Sequence, residues 1–301
     1  MDDRKKAGLA EILKESVIFN VAMSSYSTFR AGGNAEALCF IHELSVLKRV
    51  VAFLDSESIS WMTVGKGSNL LVTDKGIKGA VIILKGALAE VFEENNCMVT
   101  AGGGLSIARL LNYCVHHELS GMEFMSGIPG TLAGAVIMNA GAYGEEIGTR
   151  LHRIGIVTPE GKTKELDRSR ITFGYRKTSI PENAVVYSVT LSLEKEKQEL
   201  IKGRIESNLN KRKESQPLDM PSCGSVFKNP PDKFAGRLIE ESGLKGKKIG
   251  GAMISPKHAN FIVNTGNAKA SDIIDLINFT REKVRKDSGI DLETEIRVVG
   301  L

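Results

Sequence analysis

Residues 126–144 read SGIPGTLAGAVIMNAGAYG, and this stretch restricts the fold more than any other. Gly127, Gly130, Gly134, Gly141 and Gly144 crowd into it, beside Pro129, Thr131 and Asn139. Each glycine in a helix interior costs about 1 kcal/mol relative to alanine, so the segment is a poor isolated helix. Glycine instead lets backbone lie close to a ligand or to another backbone. A phosphate or a flat ring lying along the segment accounts for the pattern; so does tight packing of a helix on a sheet. The whole chain is glycine-rich, with 31 in 301 residues, against roughly 7% on average.

A second cluster, VGKGSNLLV at 64–72, places Gly65, Lys66, Gly67, Ser68 and Asn69 directly after an expected strand. Successive backbone N–H groups in such a loop form an anion-binding nest; an ordinary turn is the alternative. The dinucleotide fingerprint needs a third glycine and a following helix. Here Leu70, Leu71 and Val72 continue as strand, so this is not a Rossmann loop.

A chain of 301 residues has room for two or three domains. Hydrophobic content of 42% and charged content of 25% are those of a soluble globular protein. The net charge of +4 is too mild and diffuse to argue for nucleic acid, and suits anionic small ligands equally well. Cys39, Cys97, Cys114 and Cys223 show no CxxC spacing and no histidine partners, which points to free thiols and no metal site. The start, MDDRKKAGLAEILKE, has the pattern of an amphipathic helix rather than a signal peptide, and no apolar run reaches membrane-spanning length. The expected location is cytoplasmic, with no membrane and no obligate protein partner.

Apolar spacing predicts a helix over 43–57 and another over 106–118, with Ser106 as its N-cap. Residues 61–65, 80–84 and 184–194 read as strands. Hairpins are expected to turn at Asn95-Asn96 and at Glu160-Gly161. Residues 195–216 form a highly charged helix that connects domains. Beyond it come strand, helix (234–243), strand (260–266), long helix (271–289) and final strand (293–300). Ser271 and Gly289 punctuate the long helix as cap and stop.

Seven stretches together resemble one family: STFRAGGNAEAL, VGKGSNLLV, GIPGTLAGAVIMNAGAYG, FGYRKTSI, PSCGSVFKNP, KIGGAMISPKHANFIVN and LETEIRVVG. They look like UDP-N-acetylenolpyruvoylglucosamine reductase (UDP-N-acetylmuramate dehydrogenase), from about residue 20 to the C-terminus. The resemblance implies an α+β chain. A two-part FAD-binding domain of the vanillyl-alcohol-oxidase (PCMH) type precedes a smaller α+β substrate-binding domain. In these terms residues 1–20 are an N-terminal helical segment and 21–194 the FAD domain, split near 85–95. Residues 195–216 are the connector, and 217–301 the substrate domain, whose last strand carries Glu295. The implied cofactors are non-covalent FAD and NADPH as hydride donor; the implied substrate is UDP-N-acetylglucosamine enolpyruvate. Gly65, Lys66, Gly67, Ser68, Asn69 and Leu70, with Gly127, Ile128, Pro129, Gly130 and Thr131, would lie along the FAD pyrophosphate. Arg30, Asn139, Gly141, Ala142 and Gly144 would line the flavin. The short run after Tyr175-Arg176 leaves no room for the extra loop of one subtype, so the chain resembles the short, second subtype. Gln216 stands where the first subtype has a lysine, and Asn229 where many short members have a basic residue.

The implied reaction reduces an enolpyruvyl ether to a lactyl ether, with the flavin carrying the redox chemistry. Hydride addition to the terminal carbon leaves charge beside the carboxylate, spread as an enediolate, and a proton quenches it. Arg176 suits a carboxylate clamp, because its planar fork holds both oxygens. By resemblance Glu295 works with it, and Ser225 supplies the proton. Tyr175, Lys228 and Asn229 would contact substrate, and Lys228 is a guess for the relay that restores Ser225. The bland alternatives are a surface arginine, a Glu295–Arg297 pair and a turn serine behind Gly224. His116 and His117 read as surface or core residues rather than ligands, and the KGKK run at 245–248 as a solvated loop, with a diphosphate contact as the alternative. Ser225 and Lys228 also fit S-x-x-K, the acylating-serine motif. That motif needs a helix, an SDN or KTG triplet elsewhere and an export signal, none of which the sequence offers. An FAD-dependent oxidase or dehydrogenase of a sugar or alcohol on the same fold is the other rival.

Overall fold

The structure, a computed structural model, describes residues 1–300, with the side chains of Glu93 and Glu94 left aside. Leu301, the end of the expected substrate domain, lies outside the described residues. The chain divides into two compact units that interleave along the sequence. The first takes Met1–Phe19, Ala37–Gly65 and Gly79–Asn210; the second takes Asn20–Glu36, Lys66–Lys78 and Lys211–Leu301. The sequence reading draws its domains as successive stretches, whereas here the second unit borrows two early segments.

The first unit holds two cores. One forms around helices α1 (Asp3–Leu13) and α2 (Leu44–Ser56). Leu47, Val50, Val51 and Leu54 repeat at helical spacing and are all buried, which is why 44–56 folds as an amphipathic helix. They pack with Ala37, Cys39, Ile41, Ala80 and Ile82. Those five come from a four-stranded sheet ordered Val17–Ala22, Asn34–Ile41, Ile77–Leu84, Trp61–Thr63. Burial pushes the Cys39 thiol up to about 12, so it behaves as a small apolar side chain.

The other core lies on a five-stranded sheet ordered Thr163–Asp167, Leu151–Val157, Val185–Ser192, Met98–Gly102, Val91–Asn95. Its strands are antiparallel, with Ile154 opposite Val189 and Val189 opposite Ala101. Helix α3 (Ile107–His116) buries Leu110, Leu111 and Cys114 against it. Ser106 caps α3 by accepting the Arg109 N–H at 3.3 Å, as its sequence position predicts. The first hairpin turns one residue later than expected. Asn95 pairs with Met98, and Asn96 and Cys97 both take left-handed φ, +48° and +64°, as a type I′ turn requires. The second hairpin closes through residues 158–162, with Gly161 at φ +73°. Helix α4 (Leu132–Ile137), inside the glycine-rich stretch, runs for only six residues. Helix α5 (Gln198–Ser215) buries only Ile201, and its Arg204 pairs with the buried Glu123 at 2.6 Å.

In the second unit, α6 (Ala235–Glu241) and α7 (Ala270–Ser288) share a core with Phe29, Leu71, Val226, Phe227, Ile254 and Ile262. A small antiparallel sheet joins Lys248–Ile249, Ala252–Ile254 and Ile262–Asn264. Gly289 ends α7 in the left-handed conformation, its N–H bonded to the Arg285 carbonyl at 2.9 Å. The start of α7 differs from expectation. Its N-cap position is Lys269, and the Ala270 and Ser271 N–H groups bond the two carboxylate oxygens of Asp74, each at 3.0 Å. A remote carboxylate thus does the work assigned to Ser271. The final strand is also shorter than expected: only Arg297–Val299 pairs, parallel to Leu70–Val72. Glu295 therefore precedes the last strand instead of riding on it. No described helix is long and apolar enough to cross a membrane.

Candidate active site

In the first unit the two glycine clusters meet. A Cβ on Gly65 would lie 2.3 Å from Thr131 Oγ1, so the end of the first strand-and-loop can touch the start of α4 only because residue 65 has no side chain. Gly127 takes φ +74°, and the Gly130 carbonyl accepts the Ile107 N–H at 3.1 Å. Ile128, Pro129 and Gly130 thus follow a fixed turn into Thr131. Gly65, for which an ordinary turn was the alternative, is instead a site of close packing.

Residues 139–146 form a tight hairpin. Gly141 pairs with Glu146 and Ala142 with Glu145, and the turn residues Tyr143 and Gly144 are both left-handed. A second hairpin pairs Gly174 with Lys177, leaving Tyr175 and Arg176 as its two-residue turn. Arg176 sits at φ +56°, uncommon for a residue with a side chain. Its Nη2 donates to the Gly141 carbonyl at 3.2 Å, and its guanidinium lies 4.9 Å from the Tyr175 ring centre. Tyr175 is 47% exposed. Asn139 fastens the two hairpins: it is fully buried, donates to Glu146 at 2.6 Å and to the Gly174 carbonyl at 3.1 Å, and accepts from Gly148 N. The structure thus brings Asn139, Gly141, Ala142, Gly144, Tyr175 and Arg176 together. It also shows that Asn139, expected beside the flavin, spends its amide on the protein itself. Glu146 was not anticipated; nothing local in the sequence marks it.

At Gly174 neither backbone nor packing asks for glycine. Its φ is not left-handed, and a Cβ there would meet no atom within 4 Å. The open backbone at Gly174 and the left-handed turns at Gly127 and Gly144, where no side chain covers the chain, fit the close approach of an FAD.

In the second unit the 66–70 loop is held by buried groups. A Cβ on Gly67 would stand 2.0 Å from the Tyr26 carbonyl. Ser27 Oγ donates to the Leu70 carbonyl at 2.9 Å, and the Cys223 thiol reaches the Gly67 and Leu70 carbonyls at 3.4 Å. Burial pushes that thiol up despite its hydrogen bonds to Thr28, Leu70 and Ser27, which keeps it protonated as a donor. Arg30 is exposed at φ +53°, with the Phe29 carbonyl beside it held by Asn264 at 2.8 Å. Lys66 is exposed as well, while Ser68 is half-buried.

The loop leads directly to Glu295. Asn69 Nδ2 donates to the Glu295 carbonyl at 3.1 Å, and Arg297 N donates to the Asn69 carbonyl at 3.0 Å. Glu295 N in turn donates to the Val226 carbonyl at 2.8 Å, next to Ser225. Ser225 was expected at the start of a strand; instead a single bridge, Phe227 to Thr294, is all the ladder that forms. Gly224 precedes it at φ +73° with open space where a Cβ would stand, so the backbone conformation selects glycine here. The segment around Ser225 and Lys228 is not helical, as an acylating S-x-x-K pair requires. Lys228 is ion-paired with Glu293. Asn229 Oδ1 accepts the Ala235 N–H at 3.0 Å at the start of α6, a capping role the sequence reading did not foresee. Lys245 pairs with Glu240, Lys247 lies over Phe279, and His116 and His117 are exposed, all as surface residues.

Residues 35–167 match a family model described as an FAD binding domain. Residues 216–299 match the UDP-N-acetylenolpyruvoylglucosamine reductase, C-terminal domain. The reductase of that name from Caldanaerobacter subterraneus subsp. tengcongensis is 41% identical over 294 residues, covering 97% of both chains. The crystal structure of UDP-N-acetylenolpyruvylglucosamine reductase from Thermus caldophilus superposes with a TM-score of 0.81 at 34% identity, covering 94% of this chain and 98% of that one. Alkyldihydroxyacetonephosphate synthase, 12% identical, shares the fold over 65% of this chain and 41% of its own, with a TM-score of 0.50. The identity and near-complete coverage on both sides place this chain in the UDP-N-acetylenolpyruvoylglucosamine reductase family.

Proposed function

We propose that the chain reduces UDP-N-acetylglucosamine enolpyruvate to UDP-N-acetylmuramate, a step in peptidoglycan precursor synthesis, with FAD bound and NADPH as the hydride source. When bound, FAD supplies the hydride transfer between NADPH and the substrate double bond. The protein's own task is to hold the substrate carboxylate, stabilise the charge that develops beside it and deliver one proton. Arg176 holds the carboxylate: its fork binds two oxygens, and the hairpin turn orients it. Glu295, in its protonated form, donates a hydrogen bond to the enediolate, and Ser225 donates the proton to the adjacent carbon. A serine hydroxyl is a weak acid, so only a strongly basic carbon can take its proton. Tyr175 packs beside Arg176 toward the substrate. The four cysteines stand unbridged, which suits a reducing compartment and supports a cytoplasmic location.

The observation that carries this reading is the unbroken hydrogen-bonded run from Asn69 through Glu295 to Val226, which ties the expected cofactor loop to the expected acid. Stopped-flow spectroscopy of the two half-reactions tests it. Ser225→Ala is expected to leave reduction of the bound flavin by NADPH intact. It should slow reoxidation by substrate by roughly 10²–10⁴, the usual contribution of a general acid. Ser225→Cys should retain part of the rate. Wild-type reoxidation in the alanine variant would remove Ser225 from the mechanism.

A further inference from the structure

The segment 260–264, NFIVN, places two asparagines in the core of the second unit, Asn260 and Asn264, each 4% exposed. Buried amides need partners, and both find them in backbone that carries an expected site residue. Asn264 donates to the Phe29 carbonyl at 2.8 Å, beside Arg30. Asn260 does more. Its own carbonyl accepts the Val226 N–H at 2.8 Å. Its Oδ1 accepts the Phe227 N–H at 2.9 Å, and its Nδ2 donates to the Phe227 carbonyl at 2.8 Å.

The opposite side of the same segment is also fastened. Glu295 N donates to the Val226 carbonyl, and Lys228 N to the Glu293 carbonyl, both at 2.8 Å. Five consecutive backbone groups, from Val226 N to Lys228 N, are therefore engaged, and Asn260 supplies the partners of three. A side-chain amide carries the same donor and acceptor as a peptide unit, so Asn260 stands in for a strand neighbour. Among the described residues the segment's strand pairing is a single bridge, Phe227 to Thr294. Gly224 bends away at φ +73° just before Ser225, and Pro230, which lacks an N–H, follows Asn229.

We propose that Asn260 is a positioning residue for the proton transfer: by pinning the two residues after Ser225 it fixes where the serine hydroxyl stands. The inference rests on Ser225 being the proton donor. A displacement of about 1 Å in a reacting group is enough to lose on the order of 10² in rate. Loss of the Asn260 side chain should therefore weaken the proton step without touching hydride entry from NADPH.

The test uses the full-length, FAD-loaded protein and four variants. These are Asn260→Asp, Asn260→Ala, Ser225→Ala, and Ile273→Val as a buried change elsewhere in the same core, on α7. Asn260→Asp is isosteric, but it sets an acceptor against the Phe227 carbonyl; it carries the test if the alanine variant does not fold. Reduction by NADPH and substrate affinity, read from the perturbed flavin spectrum, should stay near wild type. Reoxidation by substrate should slow roughly tenfold to a hundredfold. Hydrogen exchange at the Val226 and Phe227 amides should quicken, a change Ile273→Val should not produce. Adding Asn260→Asp to Ser225→Ala should slow reoxidation no further, since no hydroxyl is left to position. Wild-type reoxidation in Asn260→Asp, with Ser225→Ala impaired, overturns the inference and leaves the acid assignment standing. Equal slowing of both half-reactions would reduce Asn260 to a structural residue and overturns it too. Wild-type reoxidation in Ser225→Ala removes the acid assignment and the inference with it.

Discussion

Gly65→Ala is the sharpest probe of how the two glycine clusters cooperate. The new Cβ would stand 2.3 Å from Thr131 Oγ1, 3.1 Å from its Cγ2 and 3.2 Å from its Cβ. Rotating Thr131 gives little relief, because a β-branched side chain is stiff and the rotation exchanges one crowded atom for another. One of the two segments must move by about an ångström. Overpacking of this kind costs about 1–3 kcal/mol. If the displaced backbone is the surface that binds FAD, the same energy weakens FAD by roughly 5- to 150-fold, at 1.4 kcal/mol per factor of ten. Thr131→Ala removes both closer atoms and leaves only the 3.2 Å contact, which a small shift absorbs. Thr131 makes no side-chain cap hydrogen bond to α4, so its own truncation should be mild. The double variant should therefore bind FAD more tightly than Gly65→Ala alone, with a coupling of about 1–2 kcal/mol. Titrating the apoprotein with FAD and following flavin fluorescence measures all four affinities. Wild-type FAD affinity in Gly65→Ala, or no recovery with Thr131→Ala, would refute the reasoning.

Four further outcomes follow from named contacts. Arg176→Lys keeps the charge but loses the fork, so turnover should fall while flavin reduction by NADPH persists; unchanged turnover would deny it the carboxylate. Gly224→Ala meets no atom, so only the left-handed φ opposes it, at roughly 1–2 kcal/mol in denaturant unfolding. A much larger loss would mean an unseen clash. Burial raises the Asp74 carboxyl, but the Ser271 N–H and hydroxyl, the Ala270 N–H and the Lys269 charge together outweigh it and the net is lowered. The stability Asp74 contributes is thus present above the ordinary carboxylate range and is lost as pH falls through the lowered value; Asp74→Ala should cost about 1 kcal/mol at neutral pH and flatten that acid-side loss. Burial lowers His258, whose Nδ1 accepts the Asn260 N–H. Its contribution is present above about pH 6.5 and falls as pH drops toward the lowered value, so His258→Gln should remove that part of the pH dependence of thermal unfolding.

Much of the local structure was legible in the sequence. Helix α2 follows from Leu47, Val50, Val51 and Leu54, and α3 from its apolar stripe and Ser106. Gly289 marks the end of α7. The strand after Asn69 excludes a Rossmann loop. These features depend on residues a few positions apart, where side-chain periodicity and cap chemistry act. Arg176, Ser225 and Glu295 stood out through the family resemblance; unaided, they read as a surface arginine, a turn serine and the partner of Arg297.

What tertiary structure decided is who holds these residues. Asp74 caps α7 from 196 residues away, so Ser271, the plausible cap nearest in sequence, is not the N-cap. Glu295 falls in a gap before the last strand because its N–H and carbonyl are claimed by Val226 and Asn69. Asn139, Asn229 and Asn260 spend their amides on backbone that the fold brings to them. The sequence by itself determined where helices and turns form and which side chains are chemically equipped. Only the folded chain determined which remote backbone groups, once removed from water, had to find those partners. A buried N–H or carbonyl must be paired, and distance along the chain does not limit where its partner comes from.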